Sequence, residues 1–338
     1  MASLQDLLAT GRVLLADGAT GTNLFAAGLA AGDAPDLWNL ERPDAIRAHY
    51  RSFVDAGADI ILTNTFGSTR QRLKLHRAED RVFEINRRGA ELAREVADEA
   101  GRPIVVAGSI GPTGELFVPL GALTAEDAVA SFTEQAEGLR AGGADVCWIE
   151  TMSAVEEIQA AARGAIAAGM PYTATASFDT AGRTMMGLAP ADLPSIFAAL
   201  PVQPLAIGAN CGVGASDLLY SLVQMTEGRS DIAFIAKANC GVPQFRGEHI
   251  HYSGTPELMS DYARLAVDSG ARIVGGCCGT TPAHLQAMRI ALDAHKTGSR
   301  PDRAAIEARV GPLVNPPSEG RAREKRSRRG GTEAQPAA

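Results

Sequence analysis

The sequence predicts an α/β fold, a (β/α)8 TIM barrel, and three observations carry that prediction. Short apolar or β-branched runs alternate with alanine-rich stretches eight times along the chain. Several of those runs, such as Asp59-Ile60-Ile61-Leu62 and Ala206-Ile207, are nearly continuous in apolar residues. That is how strands buried on both faces read. The length, 338 residues, suits one barrel of this kind. A doubly wound open sheet shares the same alternation, and periodicity alone does not separate the two.

Taken in order, the predicted strands are Val13–Ala19, Asp59–Phe66, Ile104–Ile110, Val146–Thr151, Tyr172–Phe178, Leu205–Cys211, Ile232–Asn239 and Arg272–Cys278. The helices expected between and after them are Asp44–Ala56, Glu79–Ala100, Ala125–Ala141, Ala154–Ala168, Pro190–Leu200, Ala215–Glu227, Pro256–Ser269 and Pro282–His295. In the third, Phe132, Gln135, Ala136 and Leu139 recur at helical spacing, as expected of a helix lying on a sheet. Gly57, Gly101, Gly142, Gly169 and Gly270 stand where helices should end in a left-handed cap. The barrel is expected over residues 1–296. Residues 297–338 form a C-terminal extension in which residues 302–314 are candidates to pack on the barrel. From about 318 the run Arg321-Ala322-Arg323-Glu324-Lys325-Arg326 has no apolar face and reads as disordered.

The chain is 46% hydrophobic with formal net charge -7, which supplies a large core and argues against nucleic-acid binding by the body. No run reaches the length of a membrane span, and the first residues lack the basic-then-apolar pattern of a signal peptide. A cytoplasmic setting is therefore expected. Five cysteines, an odd number, do not suggest a disulfide scaffold. In a reducing compartment, closely placed cysteines point to metal binding or catalysis.

Three of them sit at predicted strand ends before glycine: Cys211 in Ala209-Asn210-Cys211-Gly212, and Cys277 and Cys278 in Gly275-Gly276-Cys277-Cys278-Gly279. Three thiolates satisfy most of a tetrahedral Zn2+ and leave one position open, the pattern of a catalytic zinc. Neighbours on a strand point to opposite faces, so the flanking glycines are expected to let the backbone turn both sulfurs one way. Cys147, mid-strand between Val146 and Trp148, reads as packing. Cys240, in Ala238-Asn239-Cys240-Gly241, echoes the Cys211 segment and is expected to be a neighbour of the site, because a fourth cysteine would close it.

Other strand ends carry polar chemistry to the same rim: Asp17, Thr63, Ser109 and Glu150. Lys237, near the end of the seventh strand, offers a rival chemistry, that of a Schiff-base lyase. Its bland reading is a lysine snorkelling at the rim.

In order and spacing, Asp17-Gly18-Ala19-Thr20-Gly21-Thr22, Thr63-Asn64-Thr65-Phe66, Gly108-Ser109-Ile110-Gly111-Pro112-Thr113, Ile149-Glu150-Thr151, Gly208-Ala209-Asn210-Cys211 and Gly275-Gly276-Cys277-Cys278-Gly279-Thr280 resemble the zinc-dependent homocysteine S-methyltransferases. The resemblance runs over about residues 10–295. It implies zinc on Cys211, Cys277 and Cys278, and homocysteine as substrate. It implies that Asp17 and Glu150 hold the substrate's amino group. Gly108, Ser109 and Asn210 join them as substrate-side residues, with main chain around Gly108 and Ser109 near the carboxylate.

The methyl donor in such enzymes is betaine, S-methylmethionine or a methyl-cobalamin protein. Betaine users surround the quaternary ammonium with aromatic faces. Here Trp38 and Phe66 are candidate donor-side walls, but Gly67 and Thr151 stand where betaine enzymes show tyrosines. At these points the chain is more similar to the homocysteine module of cobalamin-dependent methionine synthase. A corrinoid protein is the expected donor, with betaine the alternative.

Overall fold

The computed structural model describes residues 3–229, 231–246 and 249–316. Its strands are β1 (Leu14–Leu15), β2 (Ile60–Leu62), β3 (Val105–Ile110), β4 (Val146–Met152), β5 (Tyr172–Ala176), β6 (Ala206–Cys211), β7 (Ala233–Ala238), β8 (Pro243–Arg246), β9 (His249–Tyr252) and β10 (Ala271–Gly276). Eight of these form one sheet in the order β1-β10-β7-β6-β5-β4-β3-β2, each neighbouring pair parallel. A parallel bridge between Ala16 and Ile60 joins the two end strands and closes the ring. The fold is a (β/α)8 barrel. The two left over, β8 and β9, make an antiparallel hairpin that the sequence reading did not foresee.

Alternation along each strand sorts side chains into two cores. Val146 and Trp148 point inward with Leu14, Ala16, Ile60, Leu62, Val105, Ala107, Ile235 and Ile273. Cys147 and Ile149 point outward into the larger core beneath the helices. Leu4 and Leu7, from a short helix at Leu4–Ala9, belong to the inner cluster. Ser3 caps that helix and Asp6 returns the bond, a capping box.

The first two strands are much shorter than predicted. Asp59 explains part of this: its carboxylate accepts the Leu15 N–H at 2.9 Å and pairs with Arg12, so a side chain replaces a ladder bond. Beyond Leu62 the backbone leaves the ladder, with the Thr65 N–H turning back to the Thr63 carbonyl.

Seven predicted helices are present as Pro43–Asp55, Val82–Glu99, Ala125–Ala141, Val155–Ala167, Ala215–Thr226, Pro256–Asp268 and Pro282–Ala294. The predicted helix at Pro190–Leu200 is instead a 3-10 helix, Pro190–Phe197, because Pro194 lies inside it and removes an N–H. Gly142 is not the left-handed residue expected; Gly143 is, at φ +89°. Gly142 is small for another reason, since a Cβ there would lie 2.2 Å from the Arg87 carbonyl oxygen.

Past the barrel, helix Arg303–Val310 packs on helices Ala215–Thr226 and Pro256–Asp268, as the candidate packing segment suggested. Asp217 then accepts the Val314 and Asn315 N–H groups, both at 2.9 Å. The segment read as disordered lies outside the described residues. Among the described residues, no helix is long and apolar enough to cross a membrane.

Candidate active site

The sulfurs of Cys211, Cys277 and Cys278 lie within 4.8 Å of one another. A tetrahedral zinc with bonds of about 2.3 Å needs sulfurs about 3.8 Å apart, so the donor set fits with small adjustment. The crowding pushes every thiol up. Cys211 is raised first by its contact with Cys277. Cys278 is pushed up to about 12, first by its contact with Cys211 and then by burial. Three thiolates this close repel, and a divalent cation among them removes that penalty.

Backbone geometry builds this nest. Strand β10 ends at Gly276, so Cys277 and Cys278 lie on the turn after it. Left-handed residues turn both segments: Cys211 itself (φ +61°), Gly212 (φ +73°) and Gly279 (φ +79°). Gly276 serves differently from the role expected: a Cβ would meet the Thr280 side chain at 2.3 Å. Asn239 clamps the two cysteine turns together. Its Oδ1 accepts the Cys278 N–H at 3.0 Å and its Nδ2 donates to the Gly212 carbonyl at 2.6 Å.

Above the barrel axis these thiols face a cavity of about 420 Å³. Glu150, Ser109, Thr63, Thr151 and Lys237 line it, with Cys211, Cys277 and Cys278. Glu150 accepts the Ser109 hydroxyl at 2.5 Å, and its other oxygen meets Asn210 Nδ2 at 3.5 Å. Burial raises the Glu150 carboxyl, opposed by the charge of Lys237 and the Ser109 bond. Asn210 mainly braces Thr151, whose φ is +61°. It accepts the Thr151 N–H and donates to its hydroxyl, both at 2.7 Å. Non-glycine residues in that region store strain, and they gather at functional sites.

Four expected residues do not line this cavity: Asn210, engaged with Thr151, and Asp17, Gly108 and Trp38. Asp17 does not line the cavity; it lies beneath it, 1% exposed. Gly108 faces outward, where a Cβ would strike the Leu139 side chain. Trp38 is buried with the Arg42 guanidinium 4.2 Å from its ring centroid, and it is not a cavity wall. Lys237 also departs from its bland reading. It does not snorkel; its side chain is 2% exposed and its Nζ sits 2.7 Å from Asp17 Oδ1.

Phe66 does line the cavity, joined by Phe25 and Tyr252, which the sequence reading missed. Tyr252 stands beside Cys278, with its ring over Gly279. The alternating run His249-Ile250-His251-Tyr252 was the available signal for that strand. Gly67 is held small by Asp36: it donates its N–H to Asp36 Oδ1 at 3.0 Å, and a Cβ would sit 3.0 Å from Oδ2. Cys240 is fully buried and stands outside the three-sulfur group. Cys147 packs against the Met170 sulfur at 3.7 Å. A larger groove, about 600 Å³, lies between Arg70, Glu115, Asp127 and Glu134, but no thiol lines it.

A closed barrel with a three-thiol nest and a buried acid on one strand-end cavity has the layout of a barrel enzyme whose thiols could hold a metal ion. The chain belongs to the homocysteine S-methyltransferase family, whose model matches residues 14–292. Methionine synthase of Mycobacterium tuberculosis is 33% identical over 301 residues, 83% of this chain and 25% of that protein. Its counterpart in Mycobacterium leprae is 32% identical over 317 residues, 88% of this chain and 26% of that one. The chain thus spans about a quarter of the length of these relatives. The metallated homocysteine methyltransferase MmuM of Escherichia coli superposes with a TM-score of 0.71 at 26% identity, covering 85% of this chain and 99% of that one.

Proposed function

We propose that this chain methylates the thiol of homocysteine to give methionine, using zinc held by Cys211, Cys277 and Cys278. The observation that carries the reading is the three-sulfur nest on the same cavity as Glu150. Bound there, zinc would supply the charge that ionises the substrate thiol at neutral pH. Glu150 suits the substrate ammonium, because a buried carboxylate with a weakly engaged oxygen gains most from an incoming cation. Ser109 holds that carboxylate in place, Asn239 ties the two cysteine turns together, and the Tyr252 ring packs over Gly279. With sulfur and amino group both anchored, the thiolate is aimed at the open mouth for an in-line displacement. A reducing cytoplasm, which keeps these thiols free, belongs to the reading.

The donor we favour is a methyl-corrinoid protein, the chain acting as the homocysteine module of a split synthase. Support comes from the rim. Phe25, on the short helix Gly21–Ala26 after β1, and Leu116, Val118, Leu120, Met185 and Met186, on the segments after β3 and β5, are large, apolar and exposed. Several large apolar side chains left exposed beyond the strand ends suit a protein partner. Betaine remains the second reading, favoured by the three aromatic side chains Phe25, Phe66 and Tyr252 on the cavity. A donor panel decides: homocysteine with betaine, S-methylmethionine, or methylcobalamin free and on a carrier protein, scored by methionine formed. Efficient turnover with betaine alone would overturn the corrinoid choice. A Schiff-base role for Lys237 has no support, since an ammonium paired with Asp17 is not a nucleophile.

A further inference from the structure

We infer that Lys237 is a positioning residue that decides which buried carboxylate receives the substrate's ammonium: by saturating Asp17 it leaves Glu150 as the sole acceptor. The inference rests on the homocysteine reading above. Both oxygens of Asp17 are engaged. Oδ1 takes the Lys237 ammonium at 2.7 Å, and Oδ2 takes the Leu62 N–H at 2.7 Å. The lysine also donates to the Asp17 backbone carbonyl at 3.1 Å. Each side chain is 2% exposed. Lys237 lines the cavity and Asp17 does not, so the ammonium stands between the aspartate and any ligand. A second ammonium on Asp17 would have to share that carboxylate with a buried like charge, which costs energy in a low-dielectric site. Glu150 feels the Lys237 charge only from beyond contact distance; its direct contacts are a hydroxyl and a long amide contact, so its oxygens have no ion-pair partner.

The barrel is built to admit this lysine. In the sheet register Lys237 lies between Asn210 on β6 and Gly275 on β10. A Cβ on Gly275 would lie 3.0 Å from the lysine Cγ and 2.9 Å from the Ala16 carbonyl oxygen. The glycine therefore opens the lane along which the stem reaches Asp17. Further along, the ammonium rides 6.0 Å from the centre of the Trp148 ring.

The test uses the zinc-loaded enzyme and two thiols, homocysteine and 4-mercaptobutanoate, which lacks the ammonium. The readout is the ratio of their kcat/KM values, together with each Kd by calorimetry. In Glu150→Gln the preference for homocysteine should fall by about tenfold or more, the worth of one charge-assisted hydrogen bond. In the double variant Asp17→Asn, Lys237→Met the preference should persist within about threefold, whatever happens to the absolute rate. If the apolar double variant does not fold, Asp17→Asn with Lys237→Gln keeps polar groups of similar length and carries the same test. Lys237→Met alone frees Asp17 to accept the ammonium. Adding Glu150→Gln to it should therefore lower the preference by clearly less than Glu150→Gln does in the wild type. On Lys237→Arg, which retains the charge, the full loss should remain. An equal loss on both backgrounds would overturn the inference. Loss of preference in the double variant equal to that of Glu150→Gln would overturn the inference and return Asp17 to the substrate. No methylation of homocysteine by the wild-type enzyme with any donor would instead overturn the homocysteine reading, and this inference with it.

Discussion

Acid should destabilise this protein through His49, and the size of the effect follows from its surroundings. His49 lies on helix Pro43–Asp55, buried, with its ring edge-on to Phe53 at 5.3 Å. Its Nε2 has no hydrogen-bond partner. Burial holds its pKa down at about 4, against an ordinary 6.5. Between those values the unfolded chain binds a proton that the folded one refuses. Stability is therefore complete above pH 6.5 and is lost as pH falls toward 4. The gap of about 2.5 pKa units corresponds to roughly 3 kcal/mol, of which about 2 kcal/mol is gone by pH 5. Replacing His49 by phenylalanine keeps the aromatic packing and removes the titration. Urea unfolding at pH 7.5, 6 and 5, at fixed metal content, should show a smaller loss in His49→Phe than in wild type by about 2 kcal/mol. Buried acids such as Glu157 shift the other way, raised chiefly by burial, and they cancel in the comparison. Parallel pH dependence of the two proteins would show that His49 is hydrated or protonated when folded.

Other expectations are more direct. Alanine at Cys211, Cys277 or Cys278 should remove tightly held zinc and activity together, while Cys240→Ala keeps both; metal analysis beside a methionine assay checks this. Glu150→Gln should leave zinc stoichiometry intact and weaken homocysteine roughly 10-fold to 150-fold, from about 1.5–3 kcal/mol for a charge-assisted bond. Zinc lost along with the substrate would place Glu150 among the metal ligands. Gly276→Ala forces a Cβ against Thr280. That overpacking, worth about 1–3 kcal/mol, should lower both Tm and zinc affinity, whereas an unchanged Tm would mean Thr280 yields freely.

The barrel was legible because its strands and helices differ in period, and the three-thiol nest because thiols before glycine at strand ends are rare. Asn239 was half visible: the echo of Ala-Asn-Cys-Gly drew attention to Cys240, yet the neighbouring asparagine does the clamping. What escaped needs three dimensions. No spacing says that Asp17 and Lys237, far apart in the chain, meet at 2.7 Å. Trp38 looked available because an aromatic before a helix carries no label for the Arg42 that covers it. The short first strands were over-read because apolar runs persist where the backbone has already left the ladder.

The order of strands around the ring also divides the labour of assembly. Both strands that lead into the cysteines, β6 and β10, are separated only by β7. Glu150 and Ser109 come from β4 and β3, and Asp17 follows β1. The three thiols thus belong to one late-synthesised arc of chain, while Glu150, Ser109 and Asp17 come from the early strands. An ion captured by that arc would rivet β6 to β10 over the top of β7 without waiting for β1 to meet β2. Loading and ring closure can then proceed as separate events, the ring being closed elsewhere, where the Asp17 N–H meets the Ile60 carbonyl and the Asp59 N–H the Leu15 carbonyl.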